Sequence, residues 1–205
     1  ELKSKITTVA SKGGSTKFSI SADLGLTWQT TARGKALDKE VSSHFDALNT
    51  SKIIDCLLVD CPYELYWYEK TASTTWEYGY TTTTTGNKTT VRIKNISVNM
   101  PVCNSYASGR YKVNAKIVQL AKQAAANARM IVQKFSSYTE TEKLIGYKEI
   151  ICYLTSYNDE AVEWEEYGDP WQLIYVFDGD DSTNVVCEGY SKAFQYLCDL
   201  SDITC

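Results

Sequence analysis

The chain has 205 residues, 43% of them hydrophobic and 22% charged, with a formal net charge of −4. That is enough apolar sequence for a buried core in one large domain or two small ones. No eighteen-residue apolar run exists, which excludes a membrane span, and the negative balance argues against nucleic acid, whose phosphates need neutralising.

Seven cysteines and a single histidine are the informative counts. An odd number leaves one thiol over in an oxidising compartment, and such a thiol is a candidate nucleophile. There is no Cys-x-x-Cys pair and His44 stands alone, so no structural zinc site is expected, and no other cofactor either. The start, Glu1-Leu2-Lys3-Ser4, has no basic stretch followed by an apolar one, so a signal peptide is absent or already removed.

Residues 1–35 form a polar, Ser/Thr-rich segment with a turn at Gly13-Gly14. Within it Ile6, Val9, Phe18, Ile20 and Leu24 are candidates for short strands. An α/β region with an antiparallel meander is expected over 36–110. Leu37, Val41, Phe45 and Leu48 recur every three to four residues, an amphipathic helix. Ile53, Ile54, Leu57 and Leu58 continue that spacing until Pro62.

Leu65 to Tyr68 is aromatic and strand-like, and Trp76, Tyr78 and Tyr80 alternate in a second strand. Gly86-Asn87 offers a turn. Val91 and Ile93 alternate, then Ile96, Val98 and Met100 alternate out of phase, which predicts a bulge near Asn95. The aromatic and threonine-rich face suits cell-wall or surface carbohydrate, and equally a plain solvated face.

Residues 111–205 read as helical. Over 112–135, Val113, Ile117, Leu120, Ala124, Ala128, Ile131 and Phe135 form one stripe. Asn104 to Thr139 holds six basic residues and no acidic ones, while Thr155 to Cys205 holds twelve acidic residues against Lys192 alone. Charge runs of this kind are mostly solvated faces. Thr139-x-x-Glu142 is a capping box opening a helix with Leu144, Tyr147, Ile151 and Leu154 on one side. Asp169-Pro170 places an N-cap before a proline and predicts a short helix through Leu173 and Phe177. The turn Asp178-Gly179-Asp180-Asp181 fails as a calcium loop, because its sixth position is Thr183 and its twelfth is Gly189.

Cys187 follows the apolar pair Val185-Val186. From Ser191 onward Phe194, Leu197 and Cys198 share a helical face, so Cys187 stands at or just before a helix N-terminus. Unpaired N–H groups there favour a thiolate and can stabilise a developing oxyanion.

Val186-Cys187-Glu188-Gly189-Tyr190-Ser191-Lys192-Ala193-Phe194 resembles the nucleophile motif of the bacterial transglutaminase-like superfamily. Members read hydrophobic-Cys-x-Gly-Tyr-Ala/Ser-x-Ala/Ser-Phe, then a leucine-rich helix and a short loop, like Leu197 to Cys205 here. The helix from Glu142 to Tyr157 and the stretch Asp60-Cys-Pro-Tyr-Glu-Leu-Tyr-Trp67 also resemble family elements. The resemblance implies an α+β fold, with a small antiparallel β meander leading into the helical half of a papain-like core.

It also implies Cys187 as catalytic nucleophile, acting on a protein or peptide substrate in a secreted or cell-surface protein. A non-catalytic extracellular binding module that keeps the fold is the alternative. The family's catalytic His and Asp follow the Cys by some tens of residues, whereas His44 lies upstream in a helix without a family motif. The chain is therefore expected to be the N-terminal portion of a longer protein, inactive alone. With Cys187 reserved, six cysteines remain, and Cys56 with Cys61 and Cys198 with Cys205 are the local pairs expected to form a disulfide.

Overall fold

In the computed structural model, which describes residues 1–163 and 172–205, helix α1 (Leu2–Lys12) precedes three short strands. These are β1 (Gly14–Ser15), β2 (Lys17–Ile20) and β3 (Thr27–Thr30). Helices α2 (Lys35–Asp46) and α3 (Thr50–Asp60) lead to a long hairpin, β4 (Thr75–Thr85) and β5 (Lys88–Asn99). After a 3-10 turn at Asn104–Tyr106 come β6 (Ala107–Gly109) and β7 (Lys112–Val113). Among the described residues the elements that follow are helices: α4 (Val118–Lys134), α5 (Glu140–Leu154), α6 (Asp159–Glu163), α7 (Ile174–Phe177) and α8 (Cys187–Asp199). The class is α+β with antiparallel sheets, as expected.

Strand β5 organises the main sheet. One edge pairs with β4 along its length, and the other takes β2 opposite Ile96–Asn99 and β3 opposite Thr89–Arg92. The expected meander is thus a hairpin completed by strands from the N-terminal segment. The bulge is where the phase change places it. Glu77 faces Ser97 and Gly79 faces Lys94, so β5 spends one residue more than β4, and Asn95 takes a left-handed φ of 54°. Without that residue Ile96 and Val98 would turn to the opposite face. With it, Val91, Ile93, Ile96, Val98 and Met100 are all buried.

Two apolar clusters result. Leu37, Val41 and Phe45 of α2 pack on Val91, Ile93 and Ile96. The larger cluster joins Ile6 and Val9 of α1, Ile54 and Leu57 of α3, the Leu65–Tyr68 stretch, and α4, α7 and α8. Its members come from 1–35, 36–110 and 111–205 alike.

Four local expectations need correction. Ile6 and Val9 lie on one buried face of α1 rather than in strands, and Leu24 sits exposed in an irregular loop. The Lys35–Asp60 helical pattern is broken at Asn49, which adopts a left-handed φ of 48° and caps α3 by accepting from the Lys52 N–H. Leu65 to Tyr68 is not a strand: these residues are buried in successive turns, and Tyr68 makes one isolated bridge to Val102. Helix α4 starts at Val118, because Val113 pairs with Gly14 in the small β1–β7–β6 sheet. Its buried stripe is Val118, Ala121, Ala124, Ala125, Ala128 and Ile131, leaving Leu120 exposed. The proposed N-cap at Asp169-Pro170 lies outside the described residues, and the helix that follows covers Ile174–Phe177.

Among the described residues no helix is long and apolar enough to cross a membrane.

Candidate active site

The site begins where α5 ends. The chain beyond Leu154 runs beside the segment before α8: the Val185 N–H donates to Ser156 O at 3.3 Å, the Asn158 N–H to Val185 O at 3.0 Å, and Tyr157 bridges Val185 in parallel. The Ser156 N–H donates to the Asn184 side chain at 3.2 Å. These bonds fix the extended approach to Val186, the N-cap, and place Cys187 as the first residue of α8.

Val186 is an unusual cap. It is buried, and its side chain has no acceptor, so the first-turn amides have no side-chain cap. Caps of Ser, Thr, Asp or Asn are favoured over Val by on the order of 1 kcal/mol. The Gly189 and Tyr190 N–H groups turn back to the Val186 carbonyl. Those of Cys187 and Glu188, the foremost of the helix, are of the type that binds anions.

The rest of the motif is occupied with holding this helix end in place. Gly189 is buried against Val185. The Tyr190 hydroxyl donates to Thr155 O at 3.0 Å, tying α8 to the end of α5. The Ser191 hydroxyl donates to Cys187 O at 3.0 Å. Glu188 forms a half-buried ion pair with Lys70. Lys192 donates to Leu58 O at 2.7 Å, and the Gln195 amide donates to Val59 O at 2.9 Å. Both serve carbonyls in the last turn of α3, where a cation is favoured. Burial of Lys192 beside Lys70 pushes its pKa down, with burial the larger cause, against an upward pull from Glu188. Ala193, Leu197 and Cys198 are fully buried.

Cys187 differs from these neighbours. Its side chain is exposed, and among the described residues its thiol has no hydrogen-bond partner. Tyr190, Ser191 and Phe194, which follow it at helical spacing, line a cleft of about 540 Å3 whose lining does not include Cys187 itself. Lys148, Ile151 and Cys152 of α5 and Cys205 line the same cleft. A polar cleft of about 570 Å3 lies elsewhere, between the end of β2 with the loop after it and the β5 bulge.

His44 is not brought to Cys187. Its ring stacks on Trp28 at 3.9 Å between centroids, on α2 and β3 and beside the smaller cluster, whereas α8 packs in the larger one. The Trp28 indole in turn donates to Glu40 at 2.7 Å. The carboxylates of the Asp178 turn are used internally: Asp178 accepts from the Asp180 N–H and the Thr183 hydroxyl, and Asp180 from Ser182. Burial pushes the Asp178 pKa up.

No family model matches the chain, and no curated protein matches it. The position of Cys187 at a helix start was legible in the sequence. The Lys70–Glu188 pair and the anchoring of α3 by Lys192 and Gln195 were not, because each joins segments more than a hundred residues apart and leaves no local periodicity.

All seven cysteines are free thiols. Cys56 is exposed and Cys61 wholly buried, whereas the Cys205 thiol lies beside that of Cys198.

Proposed function

We propose that Cys187 is the nucleophile of a thiol acyl-transfer site, and that the chain is the N-terminal portion of a secreted or cell-surface protein resembling the bacterial transglutaminase-like superfamily. The observation that carries this reading is the exposed, unpartnered thiol at the first position of an uncapped helix, on a segment whose other polar side chains are committed to structure.

The chemistry follows from that position. The thiolate attacks an amide or ester carbonyl of a protein or peptide, and the oxyanion forms where the Cys187 N–H can reach it. Collapse expels the amine or alcohol and leaves a thioester, which water or a second amine resolves. Each step needs a base to take and return a proton. His44 is engaged with Trp28, so on this reading the imidazole is supplied from outside these 205 residues.

The test is amine incorporation and peptide hydrolysis by the 205-residue chain, beside Cys187→Ala and His44→Ala variants, and by a longer chain carrying the following sequence. Loss of the base alone costs a triad hydrolase on the order of a millionfold in turnover, so the short chain should be silent. Turnover in the longer chain that disappears with Cys187→Ala supports the reading. Turnover in the short chain lost in both variants would replace it with a Cys187–His44 site.

A second reading is a binding module without turnover, favoured by the exposed threonine run Thr81–Thr85 on β4. Retention on insoluble cell-wall polysaccharide, lost on replacing those threonines, would support it.

A further inference from the structure

We propose that Cys198 and Cys205 form a reversible disulfide that latches the residues after α8 back onto that helix, a site distinct from Cys187 and independent of its role.

The helix end creates the pair. The Ile203 N–H donates to Cys198 O at 3.0 Å, five residues back, and Asp202 holds a left-handed φ of 56°. This is the Schellman arrangement, in which the residue after the left-handed position buries an apolar side chain against the last turn. Ile203 does so, at 8% exposure. The reversal directs Thr204 and Cys205 back along α8, and it sets the Cys205 thiol beside that of Cys198. The Ser201 hydroxyl fixes the same turn, donating to Leu197 O at 2.9 Å and sharing a 2.6 Å bond with Tyr147.

The two thiols differ in access. Cys205 is exposed and Cys198 wholly buried. Burial first, and then the neighbouring Cys205, push the Cys198 pKa up. Cys205 therefore reacts first. Its thiolate attacks a small disulfide, forming a mixed disulfide and releasing one thiolate of the donor. Cys198 then loses its proton and attacks the Cys205 sulfur, expelling the second donor thiol. Two cysteine thiols are oxidised and one donor disulfide is reduced to two thiols.

A competing partner exists, since Cys152 lines the same cleft as Cys205. The experiment incubates the full 205-residue chain with oxidised glutathione or with dithiothreitol, then maps the peptides without reduction. The expected result is loss of two hydrogens from the intact mass, a peptide joining Cys198 to Cys205, and a melting temperature a few degrees higher in the oxidised form. Cys205→Ser, at an exposed position, should fold normally and lose both the cross-link and the melting difference. A Cys152–Cys205 cross-link, or a full count of free thiols after oxidation, would overturn the proposal.

Discussion

Gly189 lies so close to Val185 that a Cβ built on it would stand 2.4 Å from the valine Cβ and 2.8 Å from its Cγ2. Val185 is wholly buried and β-branched, with little freedom to move aside. The glycine in the Cys-x-Gly-Tyr sequence is thus explained by the close approach of the first turn of α8 to the segment that delivers it. Gly189→Ala should cost about 1–3 kcal/mol as overpacking, read in a denaturant titration. Val185→Ala in the same chain should recover part of that loss. A neutral Gly189→Ala would mean that this contact is not what fixes the helix start.

Thr139 caps α5 by a complete reciprocal box: its hydroxyl accepts from the Glu142 N–H and its own N–H donates to the Glu142 carboxylate. Thr139→Ala should destabilise the fold by about 1 kcal/mol, seen as a lowered melting temperature. Thr139→Ser should retain most of the stability.

The same box carries a pH dependence. The Thr139 hydroxyl first, and then its N–H, hold the Glu142 carboxyl below its ordinary range. A carboxylate whose pKa is lower folded than unfolded contributes stability above the unfolded value and loses it as pH falls through the folded one. Glu142→Gln should therefore narrow the stability gap between neutral and acidic solution. An unchanged acid profile in that variant would count against the box as its source.

As the proposed nucleophile, Cys187 should alkylate faster under reducing conditions than the exposed Cys56 and Cys152, since its exposed thiol stands at the first position of a helix with no side-chain cap. Site-resolved labelling with iodoacetamide at neutral pH measures this. Equal rates at the three positions would remove the kinetic ground for a nucleophile at Cys187.

Lys192 and Gln195 bind α3 to α8 through the Leu58 and Val59 carbonyls. Gln195→Ala should cost about 1 kcal/mol, the usual net worth of one hydrogen bond. Lys192→Met keeps the stem and removes the charge, so it also relieves the burial that lowers the Lys192 pKa. The methionine variant should lose less than the alanine variant at the same position, as chemical denaturation would show.

The features legible in the sequence are those whose cause is local. A capping box spans four residues, an amphipathic stripe repeats every turn, and the Asn95 bulge announces itself as a change of phase between Ile93 and Ile96. Leu65 to Tyr68 misled because aromatic density marks burial, and burial here is achieved in turns. The N-terminal strands were blurred for a different reason. They are two to four residues long, too short for a period to develop, and their partners are set by the far side of the chain. At the site, the helix start at Cys187 was readable from Val185-Val186 and the apolar spacing after Ser191. Its bracing by Lys70, Leu58 and Val59 depends on tertiary packing and has no local signature.

The pairing of β1 with β7 and of β2 with β5 has a consequence for how the chain acquires its shape. Gly14 meets Val113, and Lys17 meets Asn99. The partners of β1, β2 and β3 lie on β7 and β5, so these strands can pair only after the hairpin and the strand at Lys112 have been made. Contacts of this sequence separation close slowly. The strands of residues 14–30 should therefore dock after the hairpin, and removing them takes two strands from one edge of β5.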